Sequence, residues 1–417
     1  MGLGKTMMAL YWINKIPAYR PAVIVTPASV KYAWQSEAMQ HFGMRSQVLE
    51  GVNSRPLDGS QLIILNYHIL IAWLDELMKV KPRIVILDEC HYICNVKAQR
   101  TAAAHVLARY AVSRLALSGT PISNRPSEFW SAIHFVRPDL YPDHGKYLWR
   151  FCRPRKTRWG WKFDGAKNIP ELNETLKREC MIRRLKKNVL PELPDKIYKV
   201  IPLRLSSYKE YNRAKERFIQ WLSGISLARA RRAKRSKALA KVGYLLRLCA
   251  ELKLPKIIEW LEEFRETHPD QKVVALTMHT AVINRLRKHF SDSVFIDGRV
   301  SGKMRFEAVR KFQSNNGTHY FFGNWKAAGM GLNLTASSTF VSLDYPWTPA
   351  DYGQGQDRIH RIGQKRKVII YNLVALDTIE EHLIQLLQKK AEVLSAVLDG
   401  KGHVRDVDLV ELLLKAI

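Results

Sequence analysis

The sequence predicts an α/β protein with two doubly wound parallel-sheet lobes, a helical insertion between them and a helix near the C-terminal end. Three observations lead there. Short β-branched runs alternate with amphipathic stretches over residues 1–145, and the same rhythm returns after residue 250. The segment between, 146–250, is rich in Arg, Lys and Leu at helical spacing and reads as free of clear strands.

Within residues 1–145, Ala22–Thr26 (AVIVT), Leu62–Leu65 (LIIL), Ile84–Leu87 (IVIL) and Arg114–Leu117 (RLAL) read as buried parallel strands. The segments separating them are long enough for crossover helices. A second set follows within 251–377: Val273–Leu276, Val294–Ile296, Thr318–Phe322, Phe340–Leu343 and Val368–Tyr371. Val189–Lys196 (VLPELPDK) carries two prolines and reads as an extended connector. The last segment, 378–417, opens with a Thr-x-x-Glu capping box at Thr378 and Glu381 and continues with apolar residues at helical spacing. No internal repeat is visible at the level of residues.

The 417 residues carry 67 Lys and Arg against 38 Asp and Glu, a formal charge of +29, with 47% hydrophobic residues. That apolar share is ample for cores and excludes a disordered basic tail. The positive excess points to a polyanion, with nucleic acid as the first reading and a membrane surface as its competitor. No run approaches the roughly 18 apolar residues of a spanning helix. Met7–Ile13 is too short for a signal peptide and has no cleavage site after it. Five cysteines without CxxC spacing fit a reduced, soluble, intracellular protein.

The chemistry-bearing residues begin at once. Met-Gly-Leu-Gly-Lys-Thr has the form of the second half of a phosphate-binding loop. Gly2, Leu3 and Gly4 let backbone N–H groups close on phosphates, Lys5 reaches the outer phosphate oxygens, and the Thr6 hydroxyl can ligate Mg²⁺. At Ile84–Leu87 a hydrophobic strand runs into Asp88-Glu89-Cys90-His91, 83 residues after Lys5. Asp88 is thereby delivered to a carboxyl edge, suited to the shell of Mg²⁺, and Glu89 is suited to orienting an attacking water. Leu117-Ser-Gly-Thr-Pro121 ends another strand with small hydroxyl residues that can relay the state of such a site. Far downstream, Gln354, Arg358 and Arg361 fall at i, i+4 and i+7. On a helix they share one face, which Ile359 and Ile362 would pin, and two guanidiniums there can act as arginine fingers toward a γ-phosphate.

Two segments concentrate the charge. Lys146–Lys162 holds seven cations, five aromatics (Tyr147, Trp149, Phe151, Trp159, Trp161) and no acid; Arg229–Lys241, with Arg229, Arg231 and Arg232, holds seven more cations and no acid. The first suits phosphate contact with base stacking, or a small aromatic core with solvated arginines; the second suits a helix tracking phosphates, or a solvated helix face.

MGLGKT, VIVTPASVKYAWQSEAMQHF, VILDECH, LSGTPISNRPSEFW, AAGMGLNLTASS and GQGQDRIHRIGQ together resemble the Swi/Snf-family ATPases of helicase superfamily two, over nearly the whole chain. The stretch from Arg150 to Lys196, with its Trp-Gly-Trp and MIRRLKKNVL, is similar to the annealing-helicase, fork-remodelling branch. The resemblance implies two RecA-like lobes with ATP and Mg²⁺ between them and duplex or branched DNA along them. It also implies a monomeric motor acting away from membranes. By the same likeness Lys5 and Thr6 bind nucleotide and metal, Asp88 and Glu89 form the hydrolytic pair, and Gln354, Arg358 and Arg361 act from the second lobe. Pro27, Ser29, Gly331, Asn333 and Thr335 match motifs lying along the DNA backbone. The compact form suits a bacterial or phage protein, cytoplasmic in its cell, and a eukaryotic one would be nuclear.

The chain opens inside the phosphate loop, whereas the family has a strand and an Asp-Glu pair before it. Loss of ladder partners in the first lobe and weak ATP turnover of the chain alone are therefore expected. A catalytically impaired DNA-binding fragment is the competing function, and an RNA helicase of the same superfamily a more distant one.

Overall fold

The computed structural model describes residues 3–119, 126–157, 160–184, 186–223, 233–314, 317–328 and 331–385. The chain divides into two compact units, one built on Met1–Pro191 and the other on Glu192–Val300 with Glu307–Ala391. The division falls within the proline-bearing connector, where no regular structure lies between the helix Lys186–Val189 and the next strand.

In the first unit β1 (Ala22–Thr26), β2 (Ser46–Val48), β3 (Leu62–Asn66), β4 (Ile84–Asp88) and β5 (Ser113–Leu117) form a parallel sheet in the order β2-β3-β1-β4-β5. All five residues of β1 and of β3 are buried, as a sheet covered on both faces requires. The helices Lys5–Lys15 and Lys31–Phe42 pack with Ile24, Ile64 and Ile86 in one core layer, while Val23, Val25, Leu65 and Leu87 belong to another around Trp73 and Phe135. Fully burying each such aliphatic side chain contributes about 1.5–3 kcal/mol. The ladder from β2 to β5 is uninterrupted, and β5, read from the sequence as a buried strand, is half-buried instead because it forms one edge of the sheet.

Residues 146–250 depart from the strand-free expectation. β6 (Cys152–Thr157) and β7 (Gly160–Ala166) form an antiparallel hairpin, and β8 (Lys196–Leu203) belongs to the sheet of the second unit. β6 hides its alternation because nearly every residue in CRPRKT is polar or Pro. β8 is an edge strand whose Ile197, Tyr198 and Val200 stay exposed and whose Pro202 needs no ladder donor on its open side. The helices His144–Phe151, Ile169–Glu179, Tyr208–Ser223 and Ala233–Leu252 supply the helical content expected there.

The second sheet is parallel throughout, with β9 (Val273–Thr277), β10 (Ser293–Ile296), β11 (Tyr320–Asn324), β12 (Thr339–Ser342) and β13 (Val368–Ala375) in the order β10-β11-β9-β12-β13-β8. Its first five positions repeat the topology of the other sheet. The central strands end alike, Thr26 standing opposite Asn66 and Thr277 opposite Asn324. The repeat is one of fold, invisible in the residues. Gly355 shows how tightly this unit closes: a Cβ there would lie 2.6 Å from the ring of Trp325 and 2.9 Å from Leu276.

The helix expected after residue 378 begins at residue 379 and is described to residue 385. Thr378 and Glu381 do cap it, in a pattern displaced by one residue. Glu380 N donates to Thr378 Oγ1, and Asp377 N donates to the Glu381 carboxylate. The expected continuation of this helix lies outside the described residues.

Candidate nucleotide and nucleic-acid sites

In the first unit, Gly4 takes φ +71° with nothing near the position of a Cβ, and the helix Lys5–Lys15 follows it directly. The N-cap of that helix, Gly4, offers no side-chain cap and the first turn holds no acid, so among the described residues the positive end of the helix suits an anion. Leu3, Lys5 and Thr6 are half-buried beside this turn, and Gly2 lies outside the described residues.

Asp88 ends β4 at the carboxyl edge of the sheet, where open α/β sheets place their chemistry. Its Oδ2 accepts from Thr26 Oγ1 at 3.0 Å and from the indole Nε1 of Trp34 at 2.9 Å. Trp34 is 1% exposed; a buried indole N–H requires an acceptor, and Asp88 is the one it meets. Tyr67 donates its hydroxyl to the Asp88 carbonyl at 2.8 Å, fixing the strand end as well. Desolvation first, then the charge of Glu89, lifts the Asp88 carboxyl to about 6; the hydrogen bonds from Trp34 and Thr26 and the charge of Lys5 pull the other way.

Glu89 adopts a left-handed φ of +51°, a conformation that costs energy for a residue with a side chain. The turn swings its carboxylate toward Ser118, whose hydroxyl donates at 3.4 Å, with His91 Nδ1 also 3.4 Å away. Ser118 follows β5, so the serine of the Ser-Gly-Thr-Pro segment reaches Glu89; Thr120 and Pro121 lie outside the described residues. Pro27 is buried immediately after β1. Ser29 Oγ, two residues on, is buried with no hydrogen-bond partner among the described residues.

The second unit corrects the reading of Gln354–Arg361. The helix Pro349–Gln356 stops before Arg358, so the three residues do not share a helical face. Arg358 N and Ile359 N bond back three residues, to Gly355 O and Gln356 O, tightening the chain into turns. Two physical causes combine. Gly353 and Gly355 weaken the helix, and β8 competes for its end: Lys196 Nζ lies 3.2 Å from Gln356 Oε1 and 2.9 Å from Asp357 Oδ1, and His360 Nε2 bonds Pro194 O at 2.8 Å. Of the two expected isoleucine pins only Ile359 is buried, and Ile362 is 53% exposed.

The turn is nonetheless rigidly placed. Arg361 Nη1 donates to Leu332 O at 3.0 Å, Leu334 N donates to Arg358 O at 3.0 Å, and the Gln364 amide serves Thr335 O, Ser337 O and Ile359 O. Gln354 and Arg358 are buried and Arg361 half-buried. The segment 331–335 is thereby held with Leu332 and Leu334 inward and Gly331 and Asn333 exposed, and Thr335 Oγ1 accepts from Gln313. Sequence spacing missed Gln364 as a staple; a lone Gln beside a Gly carries no signal of it.

This unit also echoes Asp88. Asp344, just past β12, accepts from Thr277 Oγ1, from Met278 N at 2.9 Å and from the indole of Trp325 at 3.0 Å.

The cation- and aromatic-rich segment after residue 145 divides its side chains. Tyr147 and Phe151 lie one helical turn apart and are buried in the core, so Trp149 between them points outward. It meets Trp161 and Phe163 of β7 edge to face, with ring centroids 5.0 and 5.4 Å away. Tyr147 and Phe151 thus fit the small aromatic core expected as one reading, whereas Trp149 and Trp161 stay at the surface. Trp159, Arg229, Arg231 and Arg232 lie outside the described residues, though the helix Ala233–Leu252 continues from the second basic stretch. Among the described residues, no helix is long and apolar enough to cross a membrane.

Comparison with known proteins gives two family matches, the SNF2-related domain over residues 1–253 and the helicase conserved C-terminal domain over residues 253–363. The Xenopus tropicalis SWI/SNF-related matrix-associated actin-dependent regulator of chromatin subfamily A-like protein 1 is 31% identical over 406 residues, which is 94% of this chain and 42% of that protein. The human DNA annealing helicase and endonuclease ZRANB3 is 29% identical over 423 residues, 96% of this chain and 38% of that protein. The chain thus spans about two fifths of the length of these curated relatives. A solved Sulfolobus solfataricus SWI2/SNF2 ATPase core in complex with dsDNA is 24% identical, covers 96% of this chain and 87% of its own, and has a TM-score of 0.43.

Proposed function

Because the chain belongs to the SNF2-related domain family, we propose that it is an ATP-driven motor that moves along double-stranded DNA, including branched DNA that it re-anneals or remodels. The observation that carries this reading is Asp88, held by Thr26 and Trp34 at the carboxyl edge of a parallel sheet whose first helix presents an uncapped N-terminus. Similarity to proteins named as DNA annealing helicases supports the choice of DNA as the track.

In this reading Gly2, Leu3 and Gly4 cradle the phosphates with their backbone N–H groups, Lys5 neutralises them, and Glu89 orients the attacking water. Gln354, Arg358 and Arg361 serve the same hydrolysis. Magnesium fits the donor set: Thr6 offers a hydroxyl, and Asp88 a single carboxylate that burial and Glu89 leave in want of positive charge. When bound, that ion neutralises charge on the phosphates. Pro27, Ser29, Gly331, Asn333 and Thr335 follow the DNA backbone. The basic residues Arg229, Arg231 and Arg232 extend the contact along the duplex, and Trp159 and Trp161 extend it to DNA strands beyond the paired region. The domains in this reading are a first lobe over 1–145, an inserted basic region over 146–250, a second lobe over 251–377 and a helical C-terminal segment.

The test is ATP turnover with Mg²⁺, with and without duplex DNA, for the chain and for Asp88→Asn. Duplex-stimulated turnover that is lost in Asp88→Asn is the expected result. DNA binding without turnover would replace the motor with a DNA-binding protein, and stimulation by RNA alone would turn the reading to an RNA helicase.

A further inference from the structure

The hairpin β6–β7 sorts its side chains onto two faces. Its register sets Lys156 opposite Trp161 and Pro154 opposite Phe163 on one face, and Arg155 opposite Lys162 on the other. Cations directly opposite one another in a hairpin repel, so that second pairing does not favour the hairpin by itself. The aromatic face is held in position from both ends. Tyr147 and Phe151 anchor the helix that carries Trp149, and Asp143 caps that helix by accepting from Lys146 N at 2.8 Å. At the base Lys167 N bonds Phe151 O at 2.9 Å, and Gly165 admits the Arg153 side chain where a Cβ would lie 2.9 Å from it. Two tryptophans on this braced element remain open to solvent, Trp149 at 47% and Trp161 at 53%. Large apolar rings left exposed together mark a contact surface, and this one lies within a seventeen-residue segment, 146–162, with seven cations and no acid.

We propose that Trp149 and Trp161, with Lys156 beside them, form a stacking platform for the bases of an unpaired DNA strand where it leaves a duplex. Flat π surfaces flanked by cations suit a strand whose bases are open and whose phosphates run alongside; a closed duplex offers the same phosphates but no base faces. The proposal rests on the reading of the chain as a DNA motor and adds the class of DNA that its hairpin selects.

The experiment measures affinity of the full chain for a blunt duplex, the same duplex with a single-stranded tail, and the single strand alone. Wild type is compared with Trp149→Ala/Trp161→Ala and with Trp149→Phe/Trp161→Phe, the latter keeping a stacking ring. Loss of one stacked base weakens binding roughly 5- to 150-fold. The alanine variant is expected to lose that much on the tailed duplex and single strand, to keep blunt-duplex affinity within about twofold, and to be rescued in large part by phenylalanine. Unchanged blunt-duplex affinity also reports that the variant is folded. Equal losses on all three DNAs, no loss on any, or failure of the wild type to hold the single strand would overturn the platform. The motor reading fails separately, by absence of duplex-stimulated ATP turnover in the wild type.

Discussion

Lys253 and Glu380 form an ion pair inside the second unit, with Nζ 2.7 Å from the carboxylate and the two side chains 0% and 1% exposed. The remaining bonding capacity is met too: Lys253 donates to Leu373 O at 2.9 Å, and Glu380 accepts from Ala375 N at 3.0 Å. The pair ties the first turn of the C-terminal helix and the end of β13 to the junction between the helices Ala233–Leu252 and Leu254–Thr267.

Removing one partner leaves a buried charge alone, which is costly even where the intact pair contributes little. Lys253→Met and Glu380→Leu are each expected to destabilise the protein by about 3–5 kcal/mol, and the double variant by clearly less than the sum. Urea unfolding reads this directly. Additive single losses would mean that the two residues do not act as a pair.

Trp34 is expected to act as a positioning residue for Asp88. Trp34→Phe keeps the buried ring but removes the indole N–H, and it should lower the maximal ATP turnover by about 10- to 100-fold while leaving KM for ATP nearly unchanged. Thr26→Val removes the other donor and should behave alike. Unaltered turnover in both variants would assign Trp34 to packing alone.

The raised carboxyl of Asp88 makes a pH-dependent prediction. A carboxyl held near 6 in the fold, against 3.8 when free, favours the protonated native form. Its stabilising contribution is present below the free value and is lost as pH rises through 6. Asp88→Asn should therefore unfold less readily than wild type at pH 7.5, by about 1–3 kcal/mol in the absence of nucleotide and Mg²⁺, with the gain shrinking toward zero near pH 4. Thermal or urea unfolding across pH 4–8 checks it, and a gain independent of pH would contradict it. The same variant should be inactive, which would make Asp88 a residue kept for function at a cost in stability.

Affinity for duplex DNA should fall steeply with salt, each neutralised phosphate adding about −0.9 to the slope of log K against log salt. Binding measured from 50 to 300 mM salt decides the matter. A nearly flat response would remove the basic surface from the DNA contact.

Much of this fold was legible because burial writes itself locally. AVIVT, LIIL and IVIL are apolar without alternation, as strands covered on both faces must be, and each lies in its sheet. β2 and β8 were not legible: Ser46–Val48 is too short to show a pattern, and β8 keeps apolar residues in the open beside lysines. The hairpin escaped because CRPRKT has no apolar face of its own, and its register became readable only against β7. The Gln354–Arg361 spacing was helical in form, yet contacts from β8 and the glycines ended the helix at Gln356.

The amino-acid pattern alone was enough for the succession of buried strands and crossovers in the two parallel sheets and for the types of residue brought to each strand end, because hydrophobic period and motif spacing act over a few residues. Tertiary structure alone decided that Trp34 holds Asp88 across 54 residues, that Lys253 meets Glu380 across 127, and that the closing arginines sit on turns. A buried N–H or charge must find a partner wherever the packed chain offers one, and that partner is set by the packing of distant elements, to which local periodicity is blind.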